Sequence, residues 1–369
     1  DFISTQQIKA QQLPVKQVTI NDRIVGENQP CFIIAEVGAN HRGDINSALN
    51  YIKLAKEAGA DAVKFQHLTH NKIAADTMVY DDWNNKKIGK LSSFYKSAEM
   101  PYDWTKKLIK RSDELGITFL STPFDKEAVD VLFRAGVPAF KVASYELTDD
   151  ILLSYIASKG KPVIISTGMS DLEEVTHAVN VVRAAGNEQI IVLHCVSIYP
   201  PKFEELNLRA ITTLKNSLQL PIGYSDHSEP PFIAASLTAV ALGACVIEKH
   251  ITDERSGGSN DDSNSQEAGE FKRTVEEIRR AEAALSGNGI KQPVRRLGNK
   301  GDEISDRWAR RSIYAVKSMK KGEILNESSL ITLRPWGGIE PKNVKHYLGL
   351  KLIKPIKARE PFTPGHFKS

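Results

Sequence analysis

Short apolar runs rich in Val, Ile and Phe alternate with amphipathic stretches along most of this chain, and few folds are open to such a pattern. The runs that read as strands are residues 31–36, 62–66, 118–121, 139–142, 163–166, 190–194, 222–225 and 246–249. The first stretch between them shows helical spacing, with Ile45, Ala48, Leu49, Ile52 and Ala55 on one face. Asp44 is placed to cap its start and Gly59 to end it. Further helices fit residues 103–115, 126–135, 171–185, 230–242 and 270–285. About eight strand-then-helix units predict an α/β fold with a (β/α)8 barrel. The competing architecture, an open doubly wound sheet, has fewer strands and a Gly-rich first turn. Glu36-Val37-Gly38-Ala39-Asn40 does not supply that turn.

A chain of 369 residues exceeds one compact domain, and its character changes after Leu285. Gly287-Asn288-Gly289 opens a polar stretch that reads as a linker. The expected division is an N-terminal extension (1–18), the barrel (19–286), a linker (287–308) and a small β-rich domain (309–369). That last unit contains an internal echo. Val316, Met319, Lys320 and Glu323 recur in register as Ile353, Ile356, Lys357 and Glu360, so two similar hairpins are expected to pack on one another.

Charge narrows the partners. The net charge of +4 is spread without a basic stripe, which argues against nucleic acid and leaves an anionic small substrate open. No run of roughly 18 apolar residues could span a bilayer, and the polar, Gln-rich beginning is unlike a secretion signal. Cys31, Cys195 and Cys245 sit in apolar runs without paired spacing, as buried thiols in a reducing cytoplasm do.

In a barrel, functional side chains collect at the C-terminal ends of the strands. Here those ends carry Glu36, Lys64 and Gln66, Ser121-Thr122, Lys141 and Ser144, Ser166-Thr167, His194 and Ser197, Ser225-Asp226-His227, and Glu248-Lys249-His250. A lysine ending a buried strand is costly unless it is paired or faces a ligand, so Lys64 and Lys141 together suggest an anionic substrate. The nearby hydroxyls could cradle phosphate or carboxylate oxygens. His227 and His250 end neighbouring strands and could share a divalent ion. With oxygen ligands completing the shell, Mn²⁺ or Mg²⁺ is expected before zinc.

Read in order, Ile33-Ile34-Ala35-Glu36-Val37-Gly38-Ala39-Asn40-His41, Ala62-Val63-Lys64-Phe65-Gln66, Leu120-Ser121-Thr122-Pro123-Phe124, Phe140-Lys141-Val142-Ala143-Ser144, Ile165-Ser166-Thr167-Gly168-Met169, Gly223-Tyr224-Ser225-Asp226-His227 and Ile247-Glu248-Lys249-His250 resemble the successive motifs of the sialic acid synthases, which include N-acetylneuraminate, legionaminate and pseudaminate synthases. Leu333-Arg334-Pro335 is similar to the signature of their C-terminal antifreeze-protein-like (SAF) domain. The resemblance implies a TIM barrel that condenses phosphoenolpyruvate with an N-acyl hexosamine, either N-acetylmannosamine or a diacetamido-trideoxyhexose, and releases inorganic phosphate. It implies that Lys64, Thr122, Lys141, Ser144, Ser166 and Ser225 hold phosphoenolpyruvate, joined by Ser197 as a further candidate. His227 and His250 would bind the metal, Mn²⁺ first with Mg²⁺ or Co²⁺ as alternatives. Glu36, Gln66, Tyr199 and Asp261 would face the acceptor, Glu36 and Asp261 also moving protons. A domain-swapped homodimer would supply Arg334 in trans.

One loop departs from the pattern. Many members carry Pro-Gly-Pro-Asp-His after the second metal histidine, whereas this chain reads Gly257-Gly258-Ser259-Asn260-Asp261-Asp262, keeping the Asp but not its proline-bound setting. That leaves the acceptor open. The long segment 69–101, with Tyr80 and Trp83, is a second place where acceptor contacts are expected. Two rival readings are an aldolase-like or phosphosugar-binding barrel without phosphoenolpyruvate chemistry, and a non-catalytic relic. The relic would require loss of a key group, and none is lost.

Overall fold

A computed structural model describes residues 17–83, 86–285 and 308–368. Most of the expected N-terminal extension and linker therefore lies outside the described residues. The chain divides into two compact units, residues 1–286 and 287–369.

The first unit is a closed barrel of eight parallel strands: β1 (Phe32–Glu36), β2 (Ala62–His67), β3 (Thr118–Pro123), β4 (Phe140–Val142), β5 (Val163–Ser166), β6 (Ile190–Cys195), β7 (Ile222–Asp226) and β8 (Val246–Thr252). Each strand pairs with the next, and β8 pairs with β1 through Val246 opposite Phe32, which closes the ring. Eight helices follow in turn: α1 (Ile45–Glu57), α2 (Thr105–Leu115), α3 (Lys126–Arg134), α4 (Asp150–Ala157), α5 (Leu172–Ala184), α6 (Ala210–Leu218), α7 (Ala234–Ala241) and α8 (Ala268–Leu285).

Local chemistry sets these boundaries. Asp44 accepts from the backbone N–H groups of Asn46 and Ser47 at the start of α1, and Gly59 ends the turn at φ +84°. Asp171 and Glu174 form a reciprocal cap on α5. Helices α4 and α6 were not among the sequence expectations, and α7 is shorter than the span 230–242 read from the sequence. The Pro230-Pro231 pair disfavours helical backbone before it, which delays the start of α7.

Strand alternation sorts the core into two shells. Ile33, Ala35, Val63, Phe65, Phe119, Phe140 and Ile165 face outward and pack with the helices. Phe32, Ile34, Ala62, Leu120, Ala139, Ile164, Ile191, Leu193 and Val246 fill the interior, and Val18, Ile20 and Val25 of an N-terminal hairpin join that cluster. At Gly223 the interior admits no side chain: an added Cβ would lie 2.5 Å from Leu193 Cδ2 and 2.6 Å from Val246 Cβ. Between β2 and α2 runs the long insertion, which holds the short helix His70–Ile73, an antiparallel hairpin (Met78–Trp83 with Lys86–Lys90) and the helix Leu91–Lys96.

The second unit is β-rich and carries the expected echo. Met319 and Ile356, equivalent positions of the two repeats, exchange backbone hydrogen bonds of 2.8 and 2.9 Å, as residues beside a pseudo-twofold axis would. Glu323 accepts from the Lys320 N–H at 3.1 Å, and its counterpart Glu360 accepts from the Lys357 N–H at 3.0 Å. The core is small: Ile313, Ala315, Met319, Leu325, Ile339, Leu352, Ile356, Phe362 and Phe367.

Candidate active site

The interior of the barrel is apolar below and polar above, and the change comes one inward position up seven of the eight strands, β6 running from Ile191 and Leu193 to Cys195. Ile34 is succeeded by Glu36, Ala62 by Lys64 and Gln66, Leu120 by Thr122, Ala139 by Lys141, Ile164 by Ser166, Gly223 by Ser225, and Val246 by Glu248 and His250. These upper residues, with Ser144, Tyr199, His227 and Asp261, line one cavity of about 280 Å³. The same alternation corrects the inventory of strand ends. Ser121 shares a 2.7 Å hydrogen bond with His67, Asp226 pairs with Lys249 at 3.3 Å, and His194 holds the Leu206 carbonyl at 2.8 Å. None of these five lines the cavity; they tie strands to one another and, through Thr105 and Ser236, to the surrounding layer.

The floor of the cavity is a charge cluster buried from water. Lys64 Nζ lies 2.7 Å from Glu36 Oε2, and Gln66 donates to Glu36 Oε1 at 2.7 Å. Glu248 Oε1 stands between the two ammonium groups, 3.7 Å from Lys64 and 3.9 Å from Lys141, and accepts from the Ser225 hydroxyl at 3.2 Å. Lys64 donates to Thr122 at 3.3 Å, and Lys141 donates to Ser166 at 2.6 Å and to the Val142 carbonyl at 3.0 Å. Burial works against the charge on Lys64, but Glu248 and Glu36 outweigh it and raise its pKa. Burial also depresses Lys141; Glu248 opposes this, the neighbouring Lys64 charge reinforces it, and the balance leaves Lys141 below the ordinary lysine value. Burial pushes Glu248 upward, yet Lys141 and Lys64 hold it below the usual carboxylate value. Glu248 stands in the inventory of strand ends without a role of its own, and its position two before His250 is the signal that assigns it inward.

The imidazoles meet beside this cluster, with ring centroids 5.6 Å apart. His227 Nδ1 lies 2.9 Å from the Val196 carbonyl, so in the neutral ring that nitrogen is the donor and Nε2 carries the lone pair. His250 Nδ1 is buried without a hydrogen-bond partner. Burial lowers the His250 pKa and so favours the neutral, ligating form. A divalent ion held by both rings fits this donor set. Among the described residues no three His, Cys, Asp or Glu side chains are gathered to hold an ion by themselves, so substrate or water oxygens would complete the shell. Tyr199 lies against His227, with ring centroids 4.1 Å apart and planes tilted by 33°.

The departing loop has its own means of holding Asp261. Its Oδ2 accepts from the Ala39 N–H at 2.8 Å, and Gly38, at φ +53°, leaves the space: an added Cβ would stand 2.3 Å from that oxygen. Asp262 is buried and accepts from Thr252 Oγ1 at 2.6 Å, the Ser259 N–H at 2.7 Å and Arg42 Nη2 at 3.1 Å. The carboxylate at 262 therefore fastens the loop that prolines would otherwise stiffen.

Ser144 accepts from the Gly168 N–H at 2.9 Å at the edge of the cavity. Ser197 is not brought into it. Its buried hydroxyl, without a hydrogen-bond partner, lies beside Gly168 and borders an adjoining depression with Thr167 and Met169. Arg334 belongs to the other compact unit, where it follows the strand Leu330–Leu333 and is exposed.

Residues 51–291 match the NeuB family, and residues 310–368 match the SAF domain. The chain belongs to the NeuB family. Within it, the chain is 37% identical to pseudaminic acid synthase of Campylobacter jejuni, across 91% of this chain and 96% of that one. It is 38% identical to N,N'-diacetyllegionaminic acid synthase of Legionella pneumophila, across 90% and 93%. Among solved structures, the N-acetylneuraminic acid synthetase of Leptospira borgpetersenii, in complex with citrate, superposes with a TM-score of 0.70 at 35% identity, covering 79% of this chain and 96% of that one. NeuB-family relatives named for different sugar acids thus stand at nearly equal identity, and likeness alone does not choose an acceptor.

Proposed function

We propose that this chain joins phosphoenolpyruvate to the aldehyde carbon of an open-chain N-acyl hexosamine, giving a sialic-type nonulosonic acid and inorganic phosphate. The observation that carries this is the meeting of Lys64, Lys141 and four hydroxyls with two imidazoles in one cavity of a NeuB-family barrel. Lys64, Lys141, Thr122, Ser144, Ser166 and Ser225 hold the phosphate and carboxylate of phosphoenolpyruvate. His227 and His250 would hold a divalent ion, Mn²⁺ before Mg²⁺ or Co²⁺, whose chemistry would be Lewis acidity toward the acceptor carbonyl.

C3 of phosphoenolpyruvate forms the new bond to the aldehyde carbon, and water adds at C2. The C2–oxygen bond to phosphate then breaks, releasing inorganic phosphate and leaving the 2-keto acid. Glu36, oriented by Gln66, and Asp261, oriented by the Ala39 N–H, position the acceptor and relay protons. The two lysines stabilise negative charge on the leaving phosphate where little water competes. Tyr199 packs against the acceptor.

The proposed assembly is a homodimer in which the small domain of each subunit brings Arg334 to its partner's acceptor. The exposure of Arg334 supports this, because among the described residues no arginine of the barrel lines the cavity. No helix among the described residues is long and apolar enough to cross a membrane. Three buried free thiols support placing the reaction in a reducing cytoplasm.

The test is phosphate release from phosphoenolpyruvate with Mn²⁺ and either N-acetylmannosamine or a diacetamido-trideoxyhexose. Release with neither sugar refutes the reading. His250→Ala is expected to abolish turnover and the electron-paramagnetic signal of bound Mn²⁺ while leaving the circular dichroism spectrum intact. Retained Mn²⁺ binding removes the metal assignment. Mixing His250→Ala with Arg334→Ala subunits should restore activity through heterodimers, and no recovery removes the exchanged arrangement.

A further inference from the structure

The cavity has two chemically different sides. Its floor, built by the strand ends, is charged and rich in donors. Beyond it, besides Tyr145, Glu146, Tyr199 and Asn260, the insertion between β2 and α2 contributes Ile73, Ile88, Leu91, Phe94, Tyr95 and Ala98. Leu91, Phe94, Tyr95 and Ala98 are spaced i, i+3, i+4 and i+7, the stripe that one face of a helical turn presents. Ile88, on the hairpin strand Lys86–Lys90, extends the same surface. The phenol of Tyr95 is the one side-chain hydrogen-bonding group of these six residues.

Building on the condensation proposed above, we infer that Ile88, Leu91 and Phe94 determine acceptor specificity, selecting a sugar whose terminal carbon carries no hydroxyl. The floor is committed to the phosphate, the carboxylate and the reacting aldehyde, so the far end of an open-chain acceptor is left to the apolar wall. A hydroxyl pressed against Ile88, Leu91 and Phe94 gives up water and receives no partner from them, whereas a methyl group in its place gains from burial. A pocket of this kind discriminates by about 10- to 100-fold in kcat/KM rather than absolutely, because an apolar surface rejects an added hydroxyl only moderately.

The experiment compares kcat/KM, followed as phosphate release, for N-acetylmannosamine and its 6-deoxy analogue, with wild type and with the variants Leu91→Asn and Phe94→Asn. Wild type is expected to favour the 6-deoxy sugar within that range. Each Asn variant, offering a donor and an acceptor to the hydroxyl, is expected to shrink the ratio at least fivefold. Two variants on one stripe guard against a fold defect in either, and the thermal midpoint of each is recorded. Equal kcat/KM for the two sugars in wild type, or an unchanged ratio in both folded variants, overturns the wall's role and leaves the reaction standing. Phosphate from neither sugar overturns the reaction and this inference with it.

Discussion

Replacing Glu248 by Gln removes one negative charge from a cluster that holds two positive ones, with little change of shape. Its carboxylate lies 3.7 Å from Lys64 and 3.9 Å from Lys141. At an effective dielectric of about 20, each contact is worth roughly 4 kcal/mol before the cost of burying the carboxylate is subtracted. Lys64 keeps Glu36 at 2.7 Å, so Lys141 is the group left without a counter-charge. Breaking a buried pair on one side costs about 3–5 kcal/mol, and we expect the lower end because Lys141 can shed its proton. For a barrel of this size that is a fall of roughly 6–10 °C in Tm.

The pH dependence has a definite sign. The folded pKa of Glu248 is depressed, so its contribution is complete above the unfolded carboxylate value and is lost as pH falls through the folded one. The gap between wild type and variant should therefore be full near neutrality and close in acid. It should also narrow in base as Lys141, already below the ordinary lysine value, discharges. Urea and thermal denaturation from pH 4 to pH 10 measure this, and added phosphoenolpyruvate should raise the Tm of the variant more than that of wild type. A variant within about 0.5 kcal/mol of wild type at pH 7 would refute the reasoning, since it would mean that Lys141 is neutral in the fold or that water screens the cluster.

Asp262→Ala should cost about 2–4 kcal/mol by leaving the Thr252 hydroxyl and the Ser259 N–H without their acceptor, and should raise the acceptor KM more than the phosphoenolpyruvate KM. Chemical denaturation and two-substrate kinetics check both parts. Gly38→Ala places a methyl group 2.3 Å from Asp261 Oδ2 on a left-handed backbone, so we expect about 1–2 kcal/mol of destabilisation and a lower kcat. Unchanged kcat would argue against a working role for Asp261.

The barrel was legible because its strands are buried on both faces and therefore written as continuous β-branched and aromatic runs. Helix α4 was not, because Asp-Ile-Leu-Leu-Ser-Tyr-Ile-Ala carries no polar stripe to reveal its period. The hairpin of the insertion was not, because Met78–Trp83 alternates weakly and is joined to Lys86–Lys90 without a glycine turn. Residue type and strand-end position were enough to bring Lys64, Lys141, His227 and His250 to the lining of one cavity. They were not enough to separate Thr122 from Ser121, or Glu248 from Lys249. That distinction rests on facing, which follows from counting by twos from a residue of known direction. The anchoring of the loop by Asp262 depends on Arg42, Thr252 and Ser259 converging through space, and spacing along the chain does not disclose it.

On β8 the consecutive residues Glu248, Lys249 and His250 serve alternate sides of the wall, the cavity on one and the Asp226 anchor on the other. A single inserted or deleted residue in that strand would hand the chemistry to the scaffold and the scaffold's cation to the chemistry. Change by insertion is thereby confined to the connections above the strands. A lineage of such barrels can exchange one sugar partner for another there while the bond-making floor stays fixed.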